Sequence, residues 1–183
     1  MGTDLIALKG VGPALVSKLE KLNIHSQYDL LFLLPIRYED KTSLQQINNL
    51  VPGEKTLIQG TIVLTTVVYR GRRMLISQLS DDTGIITLRF LHFSKQQAKG
   101  LAKNTIVRCF GQARKTTSGL EMIHPEYQII DPENPQPLEA GLTPIYPSTE
   151  GLQQGRLRKI IRAALNQQID SIPELLPLSL IHI

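Results

Sequence analysis

The sequence predicts an α+β fold that is mainly β, a single small barrel with short helices before it and a longer helix after it. Three observations carry this expectation. Residues 55–113 hold four β-rich stretches separated by turn signals, and a helix-compatible segment interrupts them between the third and the fourth. On either side apolar residues return at helical spacing, at Leu15, Leu19 and Leu22 and again at Leu157, Ile160, Ile161, Ala164 and Leu165. With 183 residues, 42% of them hydrophobic and 20% charged, the chain has the size and balance of one moderate globular domain with extensions.

Taken in order, residues 5–34 read as short helices. In LKGVGPALVSKL, Gly10 and Gly12 permit tight backbone geometry and Pro13 opens the next helix, the spacing of a helix-hairpin-helix turn. Such a turn aims backbone N–H groups at a phosphate, with Lys9 and Lys18 nearby; a purely structural helical hairpin explains the same residues equally well. Ser26 and Asp29 form a capping-box pattern ahead of DLLFLLP, which Pro35 closes. The strands expected next are 55–69, 73–80 and 84–90, followed by a helix in FSKQQAKGLAK and a strand over 105–113. LEMIHPEYQII, at 120–130, reads as a fifth strand. Three strands, a helix and two further strands is the order of an OB-fold barrel. In the third strand Ile86, Leu88 and Phe90 alternate with Thr87 and Arg89, so one face packs inward. The proline-rich segment 131–147 reads as a crossing loop. The closing helix carries Arg156, Arg158, Lys159 and Arg162 largely outside its apolar stripe. The expected division is a helical segment 1–50, a barrel 51–130, a linker with a basic helix 131–166, and a tail 167–183.

The charge distribution says more than the net charge of +4. Between Asp82 and Glu121 no acidic residue occurs, while Arg89, Lys95, Lys99, Lys103, Arg108, Arg114 and Lys115 fall there, beside Phe90 and Phe93. Arg70, Arg72 and Arg73 form a second basic knot just upstream. Clustered positive charge next to aromatic rings supplies the two terms that hold a nucleic-acid strand, attraction to phosphates and stacking on bases. Phe93 stacks on an unpaired base if it is exposed and otherwise serves the core.

Catalytic and metal signals are missing. Cys109 is the only cysteine, which leaves neither a disulfide framework nor a thiolate set for zinc. His25, His92 and His124 are scattered, and Glu39–Asp40 and Asp81–Asp82 read as loop and turn residues. There is no GxxxxGK(S/T) phosphate loop, so no ATP hydrolysis is expected from these residues and no cofactor of their own. No apolar run suits a signal peptide or a membrane span, and a cytoplasmic monomer is the expectation.

Several strings together resemble a known family: LKGVGPALVSKLEKLNIHSQYDLLFLLPIRYED, LRFLHFSKQQAKGLA, GLEMIHPEY and LTPIYPSTEGLQQGRLRKII. They are similar to the N-terminal wedge region of the bacterial RecG family of ATP-dependent DNA helicases, over about residues 5–166. The resemblance implies an OB-fold that sits at the branch point of stalled forks and recombination junctions and parts the strands for a superfamily 2 motor. It implies branched DNA as partner, a place at the bacterial nucleoid, and ATP with magnesium only on motor domains outside these residues. It also implies two aromatic rings four positions apart stacking on the dividing bases. Phe93 matches the first; Gln97 stands at the second, where an amide offers hydrogen bonding in place of a ring. The DNA-contacting set expected is therefore Phe93, Gln97, Lys95, Lys99, Arg70, Arg72, Arg73, Arg89, Arg114 and Lys115, with Gly10, Gly12 and Lys18 as a phosphate-binding hairpin. LSLIHI, at 178–183, departs from the family pattern and reads as translated adapter sequence at the end of a truncated tail. Composition alone supports a second function equally, a generic single-strand-binding OB module without a motor. A third is a protein-interaction domain that uses the barrel groove and the basic helix.

Overall fold

The computed structural model describes residues 4–168, without the side chain of Arg70. Its elements are α1 (Pro13–Glu20), α2 (Gln27–Leu31), β1 (Arg37–Glu39), β2 (Lys55–Arg70), β3 (Arg72–Ser80), β4 (Ile85–Phe90), α3 (Lys95–Gly100), β5 (Ile106–Thr116), β6 (Gly119–Ile123), β7 (Glu126–Ile129), β8 (Thr143–Ile145) and α4 (Gln154–Gln168). They divide into two compact units. One is Asp40–Thr143, wider than the expected 51–130; the other joins the two ends of the chain, up to Glu39 and from Pro144 on.

In the first unit the ladders run in a ring. β2 pairs with β3, β3 with β4, β4 with β6, β6 with β5, and β5 with β2 again, all antiparallel except β4–β6. The alternation read from the sequence decides which side chains point inward: Ile86, Leu88 and Phe90 are buried while Thr87 and Arg89 are not. Leu88 is fully buried, a burial that contributes about 1.5–3 kcal/mol for a side chain of that size. Cys109 also lies in this core, where burial pushes its thiol up to about 12, an inert structural cysteine.

The fifth strand, expected as one run, is broken in two. β6 and β7 follow the same edge of β5, but the register moves by one residue between Ala113↔Met122 and Phe110↔Glu126. The extra residue is accommodated at His124, whose φ is 48°, next to Pro125, which has no N–H to give a ladder.

The turn between β3 and β4 is built by Asp81. Its Oδ1 accepts from the Thr83 hydroxyl (2.7 Å), Thr83 N–H (3.0 Å) and Gly84 N–H (3.2 Å), and its Oδ2 from Ile47 N–H (2.7 Å). Burial pushes this carboxyl up, but the four hydrogen bonds together outweigh it and hold it below the ordinary 3.8. A carboxylate lowered in this way contributes stability above its unfolded value and loses it as the pH falls through the folded one. Urea midpoints should therefore drop below about pH 4, and more shallowly in Asp81→Asn; equal slopes for the two proteins would contradict this.

In the second unit Leu15 and Leu19 of α1, Leu30 of α2 and Leu157, Ile160, Ile161 and Ala164 of α4 form one core. Leu165, expected in that stripe, is 39% exposed because it lies at the margin of the apolar arc. The capping box at α2 is present: Ser26 Oγ accepts from Asp29 N–H, and Asp29 Oδ2 accepts from the N–H groups of Ser26 and His25. β1 and β8 form a two-stranded sheet that neither local sequence announces. β8 falls inside the expected crossing loop and finds its partner more than a hundred residues upstream. The expected tail lies, from residue 169 on, outside the described residues.

Candidate nucleic-acid interface

β2 is long enough to serve two ladders in succession. Lys55–Thr61 pairs with β5, and after an irregularity at Ile62–Leu64 the strand continues with β3 alone. The last β3–β4 pair is Leu75↔Phe90, so Val68↔Met74, Tyr69↔Arg73 and Arg70↔Arg72 form a two-stranded tip, turned by Gly71 at a φ of 73°. Arg72 and Arg73 are exposed on it. Arg70 is its last β2 residue, and its side chain lies outside the described part.

Phe93 comes from the turn after β4. Its ring is partly buried against the barrel core, and the Arg73 guanidinium lies 4.6 Å from the ring centroid, close enough for a cation–π contact. Ser94 caps α3 by accepting from Gln97 N–H at 3.0 Å. Phe93 and Ala98 thus hold the two positions of a hydrophobic staple, and both pack on the core. The staple is a structural reason for an apolar residue here that the sequence does not announce. It leaves Phe93 anchored at one side and open at the other. Lys95 and Lys99 stand four residues apart on the exposed side of α3, and neither has an ion-pair partner among the described residues. Gln97 is partly exposed between them.

The remaining basic residues separate into different roles. Arg89 donates to Glu121 Oε2 from Nε (3.1 Å) and Nη2 (2.8 Å); the parallel β4–β6 ladder brings the acid that ends the acid-free stretch back to its first arginine. Arg114 is opposite the same Glu121 on β5. Arg108 is occupied with Gln59 and with the carbonyl oxygens of Gln136 and Pro137. Arg114 and Lys115 are exposed, but Lys115 faces Leu120 and, across it, Ile86, four residues back along β4 from the Phe93 end. The fold therefore gathers Arg72, Arg73, Phe93, Lys95, Gln97 and Lys99 and sets Arg89, Arg114 and Lys115 apart.

Sequence reasoning misses two residues at the gathered end. His124 Nε2 accepts from Leu91 N–H at 3.0 Å and its own N–H donates to Arg89 O at 2.8 Å, fastening the turn that carries Phe93. Its only sequence signal is the HP dipeptide. Tyr69 is 74% exposed beside the basic knot, where a run of β-branched residues makes it look like strand filler.

At the helical hairpin Gly10 has a φ of 88°, Gly12 precedes α1 and Pro13 opens it. Lys18 Nζ donates to Gly151 O at 3.0 Å and Arg156 Nη2 to Gly10 O at 3.1 Å, beside a depression lined by Gly12 and Pro13. Both cations tie the hairpin to other backbone of the helical unit. Among the described residues no three His, Cys, Asp or Glu side chains are grouped to hold a metal, and no helix is long and apolar enough to cross a membrane.

The family model of the RecG wedge domain matches residues 4–168. The chain belongs to the RecG wedge domain family. The ATP-dependent DNA helicase RecG of Escherichia coli K12 is 43% identical over 174 residues, 94% of this chain, and that of Haemophilus influenzae 46% identical over 162 residues. The wedge domain chain spans 25% of the length of the first of these and 23% of the second. A solved structure of RecG bound to a three-way DNA junction superposes with a TM-score of 0.78 at 29% identity, covering 99% of this chain and 25% of that one.

Proposed function

We propose that this wedge domain binds branched DNA and parts its strands at the junction, with Phe93 as the stacking ring and Arg72, Arg73, Lys95 and Lys99 as backbone anchors. The observation that carries this reading is the Arg73–Phe93 stack at the tip of the β2–β3 arm, flanked by unpaired lysines. The likeness to a junction-bound RecG supports it. Gln97 contributes hydrogen bonds to bases or sugars beside the ring. Arg89 acts on DNA only indirectly, by tying β4 to β6 through Glu121.

Within a longer protein like its relatives, the domain serves an ATP-dependent helicase that remodels stalled forks and recombination intermediates at the bacterial nucleoid. ATP and magnesium are then bound by motor domains outside these residues, and this part acts as a monomer without catalysis of its own.

The test is binding to a three-way junction, a duplex and a single strand of equal length at several salt concentrations. The junction should bind tightest. A preference that follows single-strand length and ignores branching would replace the wedge role by generic single-strand binding. Replacing Lys95 and Lys99 together by Ala should weaken binding to every sequence and reduce the log–log salt slope by about 2, since each phosphate contact contributes roughly 0.9 on duplex. A loss confined to particular bases would contradict their role as anchors.

A further inference from the structure

We propose that Tyr69 is a second base-stacking ring of this interface, forming with Arg73 and Phe93 one stacking row along the β2–β3 arm that takes an unpaired nucleobase where DNA strands part. The proposal rests on the junction-binding reading above and adds a residue that neither the basic pattern nor the family resemblance singles out.

The register places it. Tyr69 is directly opposite Arg73, and side chains in a cross-strand pair stand on the same face of the sheet. Thr65, Val67 and Tyr69 alternate along that face opposite Ser77, Leu75 and Arg73. Leu75 and Ser77 are fully buried and Val67 packs against the barrel core, so the face begins as the barrel interior. Two residues farther it passes the end of the β3–β4 ladder and emerges with Tyr69 74% exposed.

Arg73 lies between the two rings in connectivity, paired with Tyr69 across the arm and stacked on Phe93 from the turn after β4. The Tyr69 hydroxyl has no hydrogen-bond partner among the described residues, so packing within this unit explains neither the ring's position nor its polar end. Leaving a large ring in water is unfavourable, whereas covering it with a base face is favourable and tolerant of sequence.

The charge around it selects the partner. Arg72, Arg73, Lys95 and Lys99 are exposed at this end, and no acidic residue lies between Asp82 and Glu121 in the chain. That setting suits a polyanion carrying bases better than an apolar protein surface.

The chain contains no tryptophan, so Tyr69→Trp introduces a single indole reporter at the arm tip. Titrated with a three-way DNA junction that has unpaired bases at its branch, its emission should be quenched as binding saturates. Tyr69→Ala should lower junction affinity about 5-fold or more, the effect of losing one stacked base, while Tyr69→Phe retains the parent affinity. Unchanged indole emission in the bound state, or parent-like affinity of Tyr69→Ala, overturns the proposal. If either occurs while the parent still prefers the junction and Phe93→Ala still weakens it, the junction reading stands without Tyr69. A parent chain that binds junction no better than duplex removes both.

Discussion

Phe93→Ala is expected to lower affinity for a three-way junction about 5- to 150-fold, the range that one lost base stack of roughly 1–3 kcal/mol implies. Duplex affinity should stay that of the parent, because phosphate contacts by Lys95 and Lys99 do not need the ring. The substitution also removes a staple residue packed on the barrel core, so a fold defect has to be separated from a binding defect. Phe93→Leu does this: it keeps an apolar side chain at the staple and loses the aromatic face. If stacking is the function, Phe93→Leu folds with near-parent stability and binds junctions as poorly as Phe93→Ala. If Phe93→Leu binds like the parent, Phe93 is a staple alone and the strand-parting role falls.

The largest effect on stability is expected at Gly60, which pairs with Val107 of β5 one residue before the β3 ladder begins at Thr61↔Ser80. A Cβ there would stand 2.3 Å from the carbonyl oxygen of Ser80 and 2.8 Å from its carbon. Both are backbone atoms of a paired strand and cannot swing aside as a side chain does. Gly60→Ala should therefore cost about 3 kcal/mol or more, the upper end of overpacking penalties, read as a lower urea midpoint at unchanged slope. Gly111→Ala is the comparison: its Cβ would meet Pro125 Cβ at 3.2 Å and Met122 Sδ at 3.4 Å, contacts that need only a small shift. A Gly60→Ala protein no less stable than Gly111→Ala would show that the ladders are looser than described.

Much of the fold was legible because its information is local. Alternation over Ile85–Phe90 and the capping pair Ser26–Asp29 each lie within a few residues, and the structure has both as read. The break at His124 was not legible, because LEMIHPEYQII alternates acceptably as one strand. Only the ladder with β5 reveals that one residue too many must be absorbed.

The candidate site divides in the same way. Its chemical character was readable in the chain, since basic residues and rings without acids hold their charge and faces in any conformation. Which of them act together was not. Arg89 and Glu121 are thirty-two residues apart in sequence and meet across a parallel ladder, which cancels a charge that a linear count assigns to DNA. Arg73 of the arm and Phe93 of the turn after β4 meet from separate segments of the chain, and Tyr69 stands opposite Arg73 on the arm.

Residue type and short-range period thus settled the class of fold and the basic, acid-free character of the chain between Asp82 and Glu121, because these depend on the properties of neighbouring side chains. Strand pairing decided which cations remain free and which ring stands opposite Arg73, and packing on the barrel core decided why Phe93 is anchored on one side. Those depend on contacts between segments far apart in the chain, whose register is set by the burial of a shared core.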